Sequence, residues 1–223
     1  MNNKYYTRFQ LFTHNPFWET YLRWTYQKCI DDFNKIKYHP DFFKKDFTAM
    51  LCGTSGERTS SIFVDFVLSK NNQAKIIILD ISEMQLTESK KLLTKLFPKA
   101  DIEYIKADAK KTSLISESID FIETDGFFEY FNSKDLLLLM KEWRRLLRKD
   151  GFATTRAFAS SSFFGKMVDI IRVFICKHYL DVIIHVHHMN AIEDIINKAR
   201  FKFVQGGGSF CPTFKRFSLL KKG

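Results

Sequence analysis

Short apolar runs alternate with amphipathic segments along most of this chain. The clearest run covers residues 76–79 and ends in Asp80. Ser82 and Gln85 follow at the spacing of a capping box, which predicts the start of a helix. Short apolar runs are typical of buried strands, whereas apolar positions three and four residues apart are typical of helices. The alternation of the two patterns predicts a parallel sheet that is covered by helices on both faces.

The same two patterns predict the order of the elements. The apolar runs predict strands at residues 47–52, 75–80, 102–105, 119–124 and 152–158. The amphipathic stretches predict helices at residues 15–36, 56–70, 82–97 and 133–150. Asn15, Ser82 and Ser133 are the expected N-caps, and Gly151 is expected to end the last of these helices. Beyond residue 158 we predict an amphipathic helix at 162–180, a helix from Asn190 to about Arg200, and a hairpin of strands 201–204 and 214–220.

The composition predicts a folded protein without a membrane span. Hydrophobic residues make up 45% of the 223 residues, which excludes a disordered chain and allows a sizeable core. No apolar signal core or membrane-length run is present, so we expect a soluble, cytoplasmic protein. The scattered cysteines favour reduced thiols.

We predict one domain, with an N-terminal helical lid at residues 1–46, a core at 47–158 and a cap helix with a closing helix and hairpin at 159–223.

The net charge of +10 is spread unevenly along the chain. Residues 1–50 carry 8 basic and 5 acidic residues, residues 51–150 carry 16 of each, and residues 151–223 carry 11 and 4. The positive excess therefore lies outside the central segment. It fits an acidic substrate, a nucleic acid, an anionic surface or simply a solvated basic surface.

Four motifs mark the ends of successive predicted strands. A loop of small residues, CGTSGE at residues 52–57, follows the first strand. Asp80 ends the second strand, 24 residues after Gly56, and Asp108 follows the third, 28 residues later. Residues 118–130 combine the fourth strand with a loop rich in aromatic residues. In this order the motifs resemble the class I S-adenosylmethionine-dependent methyltransferases. The resemblance implies an α/β, Rossmann-like fold with a mostly parallel seven-stranded sheet, helices on both faces and a small helical cap.

The resemblance also implies S-adenosyl-L-methionine as the cofactor. Asp80 would bind the ribose hydroxyls, and Asp108 would accept a hydrogen bond from the adenine amino group. Small residues in the loop would allow the backbone to approach the methionine part closely. The residues implied in cofactor binding are Cys52, Gly53, Thr54, Ser55, Gly56, Asp80, Ile81, Met84, Asp108, Ala109, Thr124, Asp125 and Gly126.

Methyl transfer depends mainly on alignment of the nucleophile, the methyl group and the sulfur. A general base is needed only where the nucleophile carries a proton. Glu129, in the loop after the fourth strand, and His187 are the candidate bases. The residues expected to contact the substrate are Tyr21, Phe127, Phe128 and Tyr130.

The sequence His-Val-His-His at residues 185–188 invites comparison with a metal site. Along a strand, His185 and His187 would share a face and His188 would point the other way. Because no neighbouring acidic or cysteine cluster completes a ligand set, no metal site is predicted.

Several functions remain open at this point. The leading one is methyl transfer to an N or O atom of a small molecule or peptide, which would be acidic if Lys166, Arg172 and Lys177 bind it. The basic C-terminal segment also fits a tRNA or rRNA methyltransferase, although no Asn/Asp-Pro-Pro-aromatic tetrad follows the fourth strand. Because the loop at residues 52–57 is poor in glycine, a non-catalytic cofactor-binding protein of this fold is a third candidate. The oligomeric state is not predicted.

Overall fold

The computed structural model describes residues 8, 13–160, 163–208 and 213–222, apart from the side chains of Asp125 and Ser160. The strands are β1 (Thr48–Cys52), β2 (Lys75–Asp80), β3 (Ile102–Lys106), β4 (Ile119–Asp125), β5 (Leu147–Ser160), β6 (His187–His188), β7 (Phe201–Gly208) and β8 (Phe214–Lys221). The helices are α1 (Pro16–Asp32), α2 (Glu57–Lys70), α3 (Glu83–Leu96), α4 (Ser133–Leu146), α5 (Phe163–Ile175) and α6 (Met189–Lys198). A π-helical turn, Cys176–Leu180, extends α5.

The strands form one mixed sheet in the order β3-β2-β1-β4-β5-β8-β7. Strands β1 to β5 are parallel to one another, β8 is antiparallel to β5, and β7 is antiparallel to β8. The two-residue strand β6 pairs with the end of β5. The predicted fold class and closing hairpin are therefore confirmed. The chain leaves β1 towards β2 on one side and returns to β4 on the other, which creates a switch point at the carboxyl end of β1.

Two apolar layers cover the sheet, one on each face. Alternate residues of each strand point to opposite faces, so Met50 of β1 packs with helices α4 and α6 while Leu51 packs with α1 and α2. In the first layer, Trp143 of α4 is fully buried. In the second, the rings of Phe121 and Phe152 stack with their centroids 4.7 Å apart.

The aromatic helix α1 belongs to the second layer, whereas the sequence predicted a lid. Its N-cap is Asn15, as predicted, and the Asn15 side chain accepts a hydrogen bond from the Phe17 amide. The aromatic residues of α1 cover cations of the sheet beneath: Arg156 lies 5.2 Å from the ring centroid of Tyr26, and Arg216 lies 5.3 Å from that of Trp24. The aromatic surface that suggested a lid therefore packs on buried arginines.

Two local predictions are corrected by the backbone geometry. The N-cap of α4 is Asn132 instead of Ser133, since the Asn132 side chain accepts hydrogen bonds from two amides of the first turn. Gly151 does not end α4, because β5 already begins at Leu147, which pairs with Ile119. The register of the pairing between β4 and β5 shifts just before Phe152. At this point a Cβ on Gly151 would lie 2.9 Å from the Arg148 carbonyl oxygen, which is too close for any residue with a side chain. Gly151 is thus required by this irregularity in the strand.

The remaining boundaries agree closely with the sequence patterns. Ser82 caps α3 as predicted and accepts a hydrogen bond from the Gln85 amide. The helix predicted from Asn190 begins at Met189, with His188 at the N-cap position. Ser162, the predicted start of α5, lies outside the described residues. No helix in the described ranges is long and apolar enough to cross a membrane.

Candidate functional site

A cavity of about 190 Å³ opens at the carboxyl edge of the sheet, at the switch point beside β1. Ligands of open α/β sheets bind at this position because strand ends and helix starts converge there. The lining residues come from the ends of four neighbouring strands and the loops that follow them: Gly53, Ser55, Leu79, Asp80, Ile81, Ala107, Asp108, Ala109, Lys110, Phe127, Tyr130 and Phe131.

The loop after β1 brings its backbone to the cavity wall. The Gly53 amide donates a hydrogen bond to the Leu79 carbonyl at 2.8 Å, which ties the loop to β2. Gly53 has a φ of +83°, in the region that side chains disfavour. The ring of Phe127 lies directly over it, and a Cβ at Gly53 would be 2.7 Å from Cε2 of that ring. Only glycine allows this approach.

Asp80 faces the cavity and also fastens the loop. Its Oδ2 accepts hydrogen bonds from the Thr54 amide at 2.9 Å and from the Thr54 hydroxyl at 3.0 Å. Its Oδ1 accepts from the Ser82 amide at 2.8 Å, at the start of α3. Thr54 is fully buried and points away from the cavity. The threonine in the glycine-poor loop therefore anchors the loop to the acid at the end of β2.

Asp108 lies on the opposite wall, after β3, with its carboxylate about half exposed. Its Oδ1 accepts a hydrogen bond from the Lys110 amide at 2.9 Å, which fixes the turn. The Lys110 ammonium lies 3.7 Å from Asp108 and 3.4 Å from Asp135. It also lies 5.9 Å from the ring centroid of Phe131. This cation is therefore held at the rim by two carboxylates and an aromatic ring.

The turn after β4 supplies an aromatic wall. Phe127 and Phe131 pack edge to face with their ring centroids 5.0 Å apart, and Tyr130 lies beside them in the cavity lining. Phe128 is fully buried against Trp143, so its ring supports the turn from below and is not placed for substrate contact. Tyr21 lies in α1, outside the cavity lining, and its ring packs 5.5 Å from that of Trp18.

His187 and Glu129, the two candidate bases, have different surroundings. The His187 ring is buried, and its Nε2 lies 2.9 Å from the Phe131 carbonyl oxygen and 3.3 Å from that of Phe128. Because carbonyl oxygens only accept, Nε2 carries a hydrogen and donates it to the turn. Burial lowers the pKa of His187, although these carbonyls act in the opposite direction. Glu129 is also buried, and its carbonyl accepts from the His185 amide at 2.6 Å.

The lowered pKa of His187 predicts a loss of stability in mild acid. The unfolded chain takes up a proton near pH 6.5, whereas the folded imidazole resists it. The free energy of unfolding should therefore decrease as the pH falls below about 6.5 and level off below the folded pKa. His187→Gln keeps an N–H donor but cannot be protonated. We expect its midpoint of thermal unfolding to change less with pH, between about pH 7.5 and pH 5.5, than that of the unchanged chain. His39→Gln, at an exposed histidine, is the matched control, and identical pH profiles of the two variants would refute this role.

Other residues named from the sequence lie around the cavity without lining it. Cys52 is buried, and burial raises the pKa of its thiol far above the ordinary range. Thr124 is buried, and Met84 is partly exposed at the start of α3. Gly56 and Gly126 both have positive φ. The Asp125 side chain lies outside the described part of the structure.

Four lining residues were missed by the sequence prediction: Leu79, Ala107, Lys110 and Phe131. Three of them are neighbours of residues that were predicted, at the ends of β2 and β3. Phe131 continues the aromatic sequence of residues 127–130, so that sequence was a usable signal. Elsewhere in the described ranges, no group of three or more His, Cys, Asp or Glu side chains is arranged to hold a metal ion.

The chemistry of the cavity fits S-adenosylmethionine. The carboxylates of Asp80 and Asp108 can accept hydrogen bonds from hydroxyl and amino groups. Phe127, Tyr130 and Phe131 present ring faces and edges that suit a positive sulfur. Because small-molecule sites usually measure about 300–1,000 Å³, we expect the Phe127 ring to move away from Gly53 when the whole cofactor binds.

Comparisons with known proteins agree with this geometry. Residues 52–155 match the family model described as a methyltransferase domain. No curated protein sequence matches the chain significantly. The fold is shared with a SAM-dependent methyltransferase from Methanosarcina mazei, at 15% identity and a TM-score of 0.62, over 81% of this chain and 95% of that one. It is also shared with magnesium protoporphyrin IX methyltransferase from Synechocystis PCC 6803 with bound SAH, at 10% identity and a TM-score of 0.64, over 91% and 84%.

A possible exported protein from Bordetella parapertussis has the same fold, with 10% identity and a TM-score of 0.66 over 88% of this chain and 68% of that one. Sequence identities this low support a shared fold alone, so the assignment as a methyltransferase domain rests on the family model. That match begins at Cys52 and includes Asp80, Asp108 and the aromatic turn after β4. Residues 52–155 therefore form a methyltransferase domain with the fold of the class I S-adenosylmethionine-dependent methyltransferases, and S-adenosylmethionine is the cofactor of this domain.

Proposed function

We propose that this methyltransferase transfers a methyl group to an N or O atom of a small molecule or peptide. The observation that carries the proposal is the enclosure of the cavity by the turn after β4. Phe127, Tyr130 and Phe131 form the wall that faces the acids at the ends of β2 and β3. Tyr130 in turn packs against Leu180 and its neighbours, which follow α5. An acceptor beside this wall would face the rings of Phe127 and Tyr130 next to the Leu180 cluster, which suits a small group.

When bound, the cofactor supplies a methyl group that is activated by the adjacent positive sulfur. The chain then has to hold the acceptor in line with it and exclude water. Phe127 and Tyr130 are suited to both tasks by their apolar ring surfaces. Where the acceptor loses a proton, Glu129 is the candidate base, because the His187 Nε2 is already held by the turn carbonyls.

The distribution of ion pairs argues against an RNA acceptor. Several cations of the basic C-terminal segment are engaged within the fold: Arg156 with Glu123, Arg172 with Asp169, Arg216 with Asp32, and Lys221 with Glu117. Binding of a nucleic acid requires cations that are free to approach phosphates. The positive excess available to RNA is therefore smaller than the sequence suggested.

Transfer of a labelled methyl group tests the proposed acceptor class. The full chain is incubated with S-adenosylmethionine carrying a tritiated methyl group and a cell extract, which is then separated by size. We expect the label in the low-molecular-weight fraction, unaffected by ribonuclease. Asp80→Asn, which impairs the cofactor site, serves as the control for background labelling. Label confined to large RNA, and released by ribonuclease, would contradict the proposal.

A further inference from the structure

Helix α5 has the reverse of the usual orientation of an amphipathic surface helix. Such helices ordinarily turn their apolar stripe to the core and their polar face to water. The buried residues of α5 are Gly165 and Asp169. The large apolar side chains point outward, each between 47% and 82% exposed: Phe163, Phe164, Met167, Ile170, Ile171, Phe174 and Ile175. We call these seven residues the α5 face.

Polar contacts hold α5 in this orientation. Asp169 is almost fully buried, and its Oδ1 accepts hydrogen bonds from the Thr213 hydroxyl at 2.8 Å and from the Arg172 guanidinium. The Arg172 guanidinium lies 3.7 Å from the ring centroid of Phe158 in β5. A charged anchor thus fixes the polar side of the helix to the sheet. Rotating the helix to bury its apolar side would break the anchor and expose the carboxylate.

The α5 face is larger than an ordinary surface patch. An aromatic side chain offers roughly 150–250 Å². With the three exposed phenylalanines, the Met and Ile side chains, and Tyr179 and Ile183 extending the face, the exposed area is on the order of 1,000 Å². The largest apolar patch of a typical monomer measures about 300–600 Å² and is often functional. An exposed apolar face of this size is typical of a surface that binds a partner.

The charges beside the face indicate which partner it fits. Lys166 and Lys177 are exposed, and neither forms an ion pair with any residue in the described ranges. They are separated by about three helical turns, so both ammonium groups lie along one edge of the face. Flexible lysines at the edge of an apolar face can reach phosphates while their stems remain against hydrocarbon. The face therefore combines an apolar surface with a cationic edge.

We propose that the α5 face docks on an anionic lipid surface, with the helix lying in the plane of the interface. A second copy of the chain fits less well, since antiparallel pairing of two α5 faces about a two-fold axis would bring Lys166 of one copy close to Lys177 of the other. Docking would also place the lipid near the aromatic wall of the cavity, because Leu180 after α5 belongs to the cluster on which Tyr130 packs. The proposal goes beyond methyl transfer and does not depend on the identity of the acceptor.

Vesicle co-sedimentation of the full chain tests this docking. We expect binding to vesicles that contain phosphatidylglycerol in phosphatidylcholine, and weaker binding to phosphatidylcholine alone or at high salt. Replacing Phe164, Ile171 and Phe174 by serine should reduce the bound fraction by about tenfold. Because all three side chains are already exposed, the variant should fold and bind S-adenosylmethionine normally in calorimetry.

Matched variants outside the α5 face test whether the loss of vesicle binding is specific to this face. Serine at Phe17, Phe43 and Ile115 removes three apolar side chains elsewhere that are even more exposed, and it should leave vesicle binding unchanged. Lys166→Glu with Lys177→Glu should reduce binding to anionic vesicles, whereas Lys45→Glu with Lys99→Glu should not. No binding of the full chain, full binding of the α5 serine variant, or a solution dimer that this variant dissociates would each overturn the proposal.

Discussion

Replacing Glu123 by alanine is expected to destabilise the fold by about 3–5 kcal/mol, because it removes the anion from a buried ion pair. Glu123 in β4 and Arg156 in β5 are both fully buried, with 2.6 Å between Oε1 and Nη2. Glu123 also accepts a hydrogen bond from the Thr154 hydroxyl. Without Glu123, the guanidinium stays in a dehydrated layer beneath α1, where the Thr124 carbonyl and the ring of Tyr26 replace only part of the lost attraction.

Equilibrium unfolding in urea measures this effect, and the double variant Glu123→Leu with Arg156→Met should recover most of the loss. Replacing both charges by apolar side chains removes the desolvation penalty together with the attraction. Glu103→Ala is the matched control: its pair with Lys75 joins neighbouring strands of the same sheet at 2.8 Å, but both side chains are about half exposed. Such pairs contribute about 0–1 kcal/mol. If Glu123→Ala lowered the free energy of unfolding no more than Glu103→Ala does, the buried pair would not be important for stability.

Replacing Asp80 by asparagine should weaken S-adenosylmethionine binding by about tenfold, and replacing it by alanine by about 100-fold. Hydrogen bonds to a charged acceptor contribute roughly 1.5–3 kcal/mol each, which corresponds to these factors in the dissociation constant. Alanine should have the larger effect because it also releases the loop that Asp80 holds through Thr54. Calorimetric titration gives the affinity, and thermal unfolding without cofactor gives the loss of stability.

Two controls distinguish direct binding from support of the loop. Thr54→Val removes the hydroxyl contact at 3.0 Å but keeps the amide contact at 2.9 Å, so it should lower affinity only slightly. Asp101→Asn makes the same chemical change at an exposed residue next to β3 and should have no effect. Unchanged affinity in Asp80→Asn would remove the assigned role in ribose binding. A loss fully reproduced by Thr54→Val would mean that Asp80 acts through the loop.

The parts of the molecule that depend on local sequence were predictable. Strand β2 and its terminal acid follow from one apolar run, and helix α3 follows from the capping residues after it. The order of the motifs identified the parallel core, because parallel strands bring their carboxyl ends to one edge of the sheet. The N-cap of α4 and the start of β5 were misplaced, since hydrogen bonds and strand register select between neighbouring residues there.

Short local patterns were enough to predict an α/β core with acids at the ends of β2 and β3, because an apolar run, its terminal acid and the helix cap that follows lie within a few residues of one another. The contacts between charged and aromatic residues far apart in the chain depend instead on the packing of the whole fold. Arg156 finds Glu123 and Tyr26, and Asp169 finds Thr213, across 33 to 130 residues of chain. A helical pattern shows that α5 has an apolar side but not which way that side points. Its direction was decided by contacts with β5 and the segment before β8, which hold the charged side of α5 against the sheet and leave the apolar side exposed.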